Sequence, residues 1–295
     1  MHGTGTNRIK IPGHSGCELE LIMEPSQSVP SFIIKSTKDP RYFERLLRQS
    51  RKQQDFMNRN KLPFLTTPKI VSAGVNENKA YILMEYCKSM DFIEFLSVAN
   101  VANLESFCGR LICFVEDNIK NSMNLPLDKE AVERKVVSIC KAVEEQPLIS
   151  TPSKSELVKF LMQYCDTMPN WELPVGVCHG DLTFSNILFR KSGGQIVLID
   201  FLDTFIETPL QDLVIIRQDT RYLWSLMLIP DRSYDKVKTK TALRFIDRMI
   251  DRHFSQYDFY NIGYRYFQIL NFARIVPYVK SQQLMNEVIK TITTL

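Results

Sequence analysis

Two periodicities divide the chain. In its first third, apolar and polar residues alternate or gather into short β-branched runs. Leu19 and Leu21 alternate with Glu18 and Glu20, the period of a half-buried strand. Arg8 to Met23 reads as a strand, a turn at Gly13-His14-Ser15-Gly16 and a second strand. Phe32-Ile33-Ile34-Lys35 predicts a strand ending in a lysine, and Ile70–Gly74 and Lys79–Tyr86 predict two more, joined by residues 75–78. Arg41 to Asn60 is charged and helical, with Phe43, Leu46, Leu47 and Phe56 for an inner face. From Asp91 the pattern becomes mainly helical over Leu104–Asn121, Asp128–Glu145, Ser153–Met168, Leu213–Leu228 and Lys238–Tyr278. Ser153 with Glu156 predicts a capping box, and Pro126, Pro147, Pro152 and Pro169 punctuate the helices. The expected fold is α+β: a small antiparallel β-rich part over residues 1–86 and a larger helical part over 87–295.

Val177 to Asp203 interrupts the helical pattern with VCHGDLTFSNILFRKSGGQIVLIDFLD. Asp181 is followed five residues later by Asn186, and nineteen residues later by Asp200 at the end of the buried run Ile196-Val197-Leu198-Ile199. A loop carboxylate at Asp181 can accept a proton from a hydroxyl. The neutral oxygen of Asn186 and the charged one of Asp200 suit a hard cation such as Mg²⁺. A base and two metal ligands form the minimum set for kinase-type phosphoryl transfer, where positioning and charge neutralisation carry most of the catalysis. Protein kinases share the Asp-to-Asn spacing but carry His-Arg-Asp where this chain has His179-Gly180-Asp181. His-Gly-Asp-x-x-x-x-Asn with a later Ile-Asp-Phe resembles the aminoglycoside phosphotransferase and choline kinase superfamily.

The resemblance implies a two-lobed protein-kinase-like fold and a set of site residues. Asp181 would be the catalytic residue, with Asn186 and Asp200 holding Mg²⁺ beneath ATP or GTP. Lys35 would hold the nucleotide phosphates, and Ser15 and Gly16 would lie over them with backbone N–H groups, although plain hairpins use the same residues. Glu85 and Cys87, in Met84-Glu85-Tyr86-Cys87, match the hinge where backbone groups meet adenine. Asp212, twelve positions after Asp200, would begin a helix as its N-cap and brace the catalytic loop. His179 would fix Asp181 by packing or hydrogen bonding. A carboxylate in the Arg41–Asn60 helix would pair with Lys35; Glu44 is the only glutamate there, closer in sequence than the family expects, and Gln53, Gln54 and Asp55 are rivals. Asp203 can face either metal or acceptor, and Glu207 is expected to be solvated. The rings from Tyr257 to Phe272 are expected to form helix core. Arg217, Asp219 and Arg221 can serve as polar groups near the acceptor or as an exposed helix face.

Composition narrows the partners. The 295 residues carry a net charge of +4, too mild for a nucleic-acid binder. Seven scattered cysteines without Cys-x-x-Cys point to reduced thiols in the cytoplasm rather than disulfides or zinc. No apolar run spans a bilayer, and MHGTGTNRIK lacks a signal-peptide hydrophobic region. The short interval from Asp200 to Asp212, without Ala-Pro-Glu, leaves no room for the protein-substrate platform of protein kinases. The expected acceptor is therefore the hydroxyl of a small molecule: a sugar or sugar-like alcohol first, an aminoglycoside or aminoalcohol second. Choline kinases carry Asn where this chain has Gly180. A nucleotide-binding module without turnover is the alternative of another class. Sequence does not specify oligomeric state.

Overall fold

The computed structural model describes residues 7–11, 17–24, 27–190, 194–229 and 234–295. The chain forms two compact units, each assembled from two pieces of sequence. One contains Met1–Phe95 and Ser185–Asp203; the other contains Leu96–Phe184 and Thr204–Leu295.

The first unit is built on a five-stranded antiparallel sheet. Its strands are β1 (Asn7–Ile11), β2 (Glu18–Met23), β3 (Phe32–Thr37), β5 (Ile70–Asn76) and β6 (Lys79–Glu85), in the order β1-β2-β3-β6-β5. The loop expected over residues 75–78 shrinks to Glu77 and Asn78, with φ of 51° and 83°. Positive φ at both central residues is what a two-residue hairpin requires, and the ladder therefore continues to Asn76 opposite Lys79. Helix α1 (Phe43–Arg59) packs one face on β5 and β6. Leu46 joins Ile70, Ala80, Ile82 and Met84 in the core. Phe43 packs against this core and Phe56 is buried further along, but between them the buried face is polar: Gln49, Ser50 and Gln53 are buried, and Gln53 donates to the Pro68 carbonyl at 2.7 Å.

The short strand β4 (Leu65–Thr66) explains why this unit is discontinuous. Strands β9 (Ile187–Phe189) and β10 (Ile196–Leu198) form an antiparallel hairpin, and β10 pairs in parallel with β4, Ile196 opposite Leu65. The hairpin, which the sequence reading groups with the helical part, thus joins the β-rich unit. Helix α1 fastens the segment that follows it. Phe56 packs on Phe201 with centroids 5.0 Å apart, Lys52 donates to the Leu202 carbonyl at 2.6 Å, and Arg48 pairs with Asp203 at 3.1 Å. Residues 48, 52 and 56 share one helix stripe because they are four apart.

The second unit is helical. Helix α2 (Phe92–Val98) leads into it, followed by α3 (Val101–Lys120), α4 (Lys129–Glu145) and α5 (Thr151–Asp166). The N-cap of α5 is Ser150, bonded to the Ser153 N–H, so the cap lies three residues before the expected one. Strands β7 (Met123–Pro126) and β8 (Glu172–Val175) pair antiparallel. Helices α6 (Pro209–Thr220), α7 (Trp224–Met227), α8 (Lys236–Phe254), α9 (Asp258–Ala273) and α10 (Gln282–Thr294) complete the unit. The helical stretch expected over 213–228 is divided at Leu223, whose φ of 60° is left-handed. That over 238–278 breaks at Ser255–Tyr257, between α8 and α9.

Helix α6 is the axis of this unit. All twelve of its residues are buried, with α3, α8 and α9 against it. Its charges are therefore paired. Arg217 meets Asp247 at 2.9 Å and also binds Asp251 and the Tyr260 hydroxyl. Burial, the largest single influence, opposes this guanidinium's charge, but its hydrogen bonds to Asp247 together with the nearby Tyr264, Tyr260 and Asp247 hold its pKa above the usual value. Helix α9 comes close at Gly263, where a Cβ would lie 2.7 Å from Leu210 and 3.0 Å from Trp171. Phe259, Tyr260, Phe267 and Phe272 are core, as the ring pattern predicts. Among the described residues, no helix is long and apolar enough to cross a membrane.

Candidate active site

The His179-Gly180-Asp181 loop belongs to the helical unit, and two carboxylates of α6 hold it by its backbone. Asp212 accepts the N–H of His179 at 2.7 Å and that of Gly180 at 2.8 Å. Seven residues on, Asp219 accepts the N–H of Phe184 at 2.6 Å and that of Ser225 at 2.9 Å. Positions seven apart are two turns along one helix face, about 10 Å, so α6 grips both ends of the loop. The N-cap of α6 is Thr208, which accepts from the Leu210 N–H; Asp212 lies one turn inside the helix, so of its two expected roles the geometry gives it the brace.

His179 is fully buried, and its Nδ1 accepts the Asp181 N–H at 3.2 Å, which puts the ring proton on Nε2. Gly180 has φ of 89°, a conformation glycine takes without cost. Asp181 turns a partly exposed carboxylate to Arg274, whose Nη2 donates to Oδ1 at 3.2 Å. Arg274 is itself oriented: its Nε donates to Asn271 at 2.8 Å, and Asn271 donates to Gln218 at 2.6 Å. Burial first, and the nearby Asp181 charge in addition, push the Asp219 pKa up to about 6 against the pull of its N–H donors. Glu207, expected in solvent, is instead clamped: it accepts from the Thr204 N–H at 2.7 Å and from the Cys178 thiol at 3.1 Å.

The other candidate residues gather in the β-rich unit. Lys35 on β3 is 3% exposed and donates to Asp200 Oδ1 at 2.8 Å, joining residues 165 apart in sequence. Asp200 has φ of 61°, left-handed backbone that Asp tolerates better than most residues. The β9–β10 register closes with Leu198 opposite Ile187, and Ile199 N–H donates to the Asn186 carbonyl at 3.1 Å. Asn186 and Asp200 therefore flank the open end of one hairpin. Glu44 does not pair with Lys35. It is exposed and meets Arg51 at 3.4 Å, while Gln53 bonds Pro68. Asp203 is engaged by Arg48. At Glu85 the N–H is taken by the Lys69 carbonyl, whereas among the described residues the Cys87 N–H has no protein acceptor. Ser15 and Gly16 lie outside the described residues.

A model of the phosphotransferase enzyme family matches residues 27–229. The chain belongs to this family. It is a small-molecule phosphotransferase on a two-lobed protein-kinase-like fold, with an antiparallel β-rich part and a mainly helical part. No curated protein sequence matches it. Among solved structures, a thermostable mutant of aminoglycoside phosphotransferase APH(4)-Ia, in ternary complex with ADP and hygromycin B, is similar at a TM-score of 0.58. That match has 10% identity and covers 97% of this chain and 94% of the other. Plasmodium vivax ethanolamine kinase matches at 0.50 with 13% identity, covering 98% and 81%. A choline/ethanolamine kinase family protein from Mesorhizobium loti matches at 0.51 with 10% identity, covering 99% and 88%.

Sequence reasoning missed two parts of this phosphotransferase's candidate site and misread a third. Arg274 lies 93 residues from Asp181, and the Arg48–Lys52 stripe looks like a solvated face. Asp219, expected as a polar group near the acceptor or on an exposed helix face, is instead a buried brace of the loop. The full burial of α6 is the signal that could have marked Asp219: its run Leu213-Val214-Ile215-Ile216 is apolar on every side, so polar neighbours there need partners.

Proposed function

We propose that this chain transfers the γ-phosphoryl group of ATP or GTP to a hydroxyl of a small, sugar-like alcohol, with Mg²⁺. The observation that carries the reading is the Lys35–Asp200 pair, which joins the proposed phosphate-binding lysine to the proposed metal carboxylate. Asn186 and Asp200 present oxygen donors at one hairpin end, and a cation that keeps water and phosphate oxygens as its remaining ligands fits so small a protein donor set. When bound, Mg²⁺ neutralises charge on the phosphates. Lys35 would leave Asp200 for the nucleotide phosphates. Asp181 would orient the acceptor hydroxyl, whose oxygen bonds to phosphorus as the bond to the departing nucleoside diphosphate breaks. The transition state is loose, so the hydroxyl proton passes to Asp181 late. His179, Asp212 and Asp219 would hold the loop, Cys87 and Glu85 would meet the base through backbone groups, and Asp203 would steady Asp200 through α1. Among the described residues no cysteine is in a disulfide, which fits the reducing cytoplasm.

An amino-bearing acceptor is the second reading, since the solved neighbours include a complex with hygromycin B and an ethanolamine kinase. A panel of neutral polyols, aminoglycosides and aminoalcohols, assayed by acceptor-dependent ADP or GDP release, separates the two. Asp181→Asn keeps shape and one acceptor oxygen but loses basicity. It is expected to lower kcat about 10²–10⁴-fold while leaving Mg-nucleotide affinity nearly unchanged. A single-turnover rate within a few-fold of the parent would remove Asp181 from the chemistry, and nucleotide binding without any acceptor turnover would make the chain a binding module.

A further inference from the structure

We propose that Arg274 is an anion-binding residue of the acceptor site, and that the acceptor carries a carboxylate or phosphate close to the hydroxyl that receives the phosphoryl group. The inference rests on the reading of Asp181 as the residue that takes that hydroxyl, and it names the class of acceptor.

A hydroxyl on Asp181 lies a hydrogen bond away from a carboxylate whose Oδ1 is 3.2 Å from the Arg274 guanidinium. Any charge borne two or three bonds from that hydroxyl comes within direct reach of the cation. The other groups that orient Arg274 are neutral: Asn271 holds its Nε, and Gln218 holds Asn271, both amides being buried. The seam stays uncharged one turn back along α9, where Gln268 is buried with neither amide atom partnered.

The carboxylates around this seam are already committed. Asp212 and Asp219 are buried beneath backbone N–H groups, and Asp247 and Asp251 are bound to Arg217. Only Asp181 pairs with Arg274 among the described residues, and by a single contact. A guanidinium has five N–H donors in a fork suited to two-point binding of carboxylate or phosphate. Here most of the fork remains on a side chain that is 28% exposed. An ammonium at this place would meet a like charge, and the carboxylate beside it, Asp181, is already in the ion pair with Arg274. A carboxylate or phosphate would complete the fork and release Asp181 from its ion pair toward the hydroxyl.

Three-carbon polyols matched in all but charge test this. Glycerate, glycerol phosphate, glycerol and 3-amino-1,2-propanediol are titrated into the full chain saturated with Mg-AMP-PNP, with binding read by ligand-observed NMR. At least one anionic probe is expected to bind about 10-fold tighter than glycerol, with the amine weakest; which one does so separates a carboxylate from a phosphate. In Arg274→Gln that advantage should fall to within about 3-fold, and Arg274→Glu should invert the order toward the amine. Arg274→Lys keeps charge without the fork, so it should retain the order with weaker anion binding, and it decides the matter if the other variants do not fold. The proposal is overturned if the amine binds tightest, if Arg274→Gln leaves the preference unchanged, or if no anionic probe binds at millimolar concentration. AMP-PNP affinity is measured in the same samples. Wild type that fails to bind nucleotide would sink the phosphotransfer reading itself, whereas intact nucleotide binding with an amine preference would sink only the role of Arg274.

Discussion

Asp181 and Asp200 are held in opposite ways. The loop of Asp181 is fixed through its backbone, by N–H groups that end on two buried carboxylates of one helix. That arrangement needs no ion and no ligand. Asp200 is fixed by a left-handed backbone and by one ammonium, charge against charge. Anything that brings phosphates to Lys35 or a cation to Asp200 competes with that pair. On the proposed reading, the acceptor side of the chemistry would therefore be preorganised, which favours transition-state stabilisation without reorganisation, while the nucleotide side would exchange partners as it loads.

The strongest way to break this contrast is Asp200→Ala. If Asp200 is the metal carboxylate proposed above, its loss removes several kcal/mol of charge stabilisation, and turnover should fall by about 10³-fold or more. The Asp181 loop should keep its structure, because the backbone bonds that Asp212 and Asp219 accept do not involve Asp200. Near-normal phosphotransfer in this variant would show that the nucleotide side is organised elsewhere.

Asp212→Ala attacks the other side. It leaves two buried N–H groups without an acceptor, and stability should drop by about 2–4 kcal/mol. Urea unfolding reads this as a lower midpoint with unchanged slope, and an unchanged midpoint would mean that the loop holds itself.

Lys35→Ala should reduce kcat/KM about 10- to 100-fold, split between a higher nucleotide KM and a lower kcat, because on the proposed reading the ammonium would act in both ground and transition states. Unchanged kinetics would leave Lys35 as a partner of Asp200 alone.

The smallest effect concerns Asp219. Its folded pKa is raised, from 3.8 to about 6, so the folded chain keeps a proton that the unfolded chain has released across this window. The corresponding stability is full below about pH 4 and is lost as pH rises through about 6. Asp219→Asn does not titrate, so wild-type stability should decline relative to it between pH 4 and 7. A constant difference across that range would mean that the carboxylate is ionised throughout.

What could be read from sequence was local. Asp181, Asn186 and Asp200 sit in one hairpin and its approach, where spacing is geometry. Helices with one apolar face declared themselves, as did the strands around Lys35. The partner of Lys35 did not follow, because α1 presents Gln49, Ser50 and Gln53 to the sheet instead of a carboxylate, and the nearest glutamate, Glu44, points to solvent. Arg274 was invisible because nothing in the α9 pattern marks which cation ends beside a loop 93 residues earlier. The two-residue β4 was too short for any period to show, yet its pairing decides to which unit the hairpin belongs.

That pairing bears on how the protein is made. A ribosome releases the chain from its N-terminus, and Leu65 emerges long before Ile196, its neighbour in β4 and β10. The five-stranded sheet can assemble early from contacts near in sequence, but its unit stays incomplete until Asp203 has left the exit tunnel. During that interval β4 lacks a strand partner and Lys35 lacks its carboxylate, while much of the helical chain is still being synthesised. Contacts of such long sequence separation are slow to form, and an unpaired strand is a point of misassembly. The exposed interval in the life of this protein thus falls during its synthesis, before the hairpin arrives.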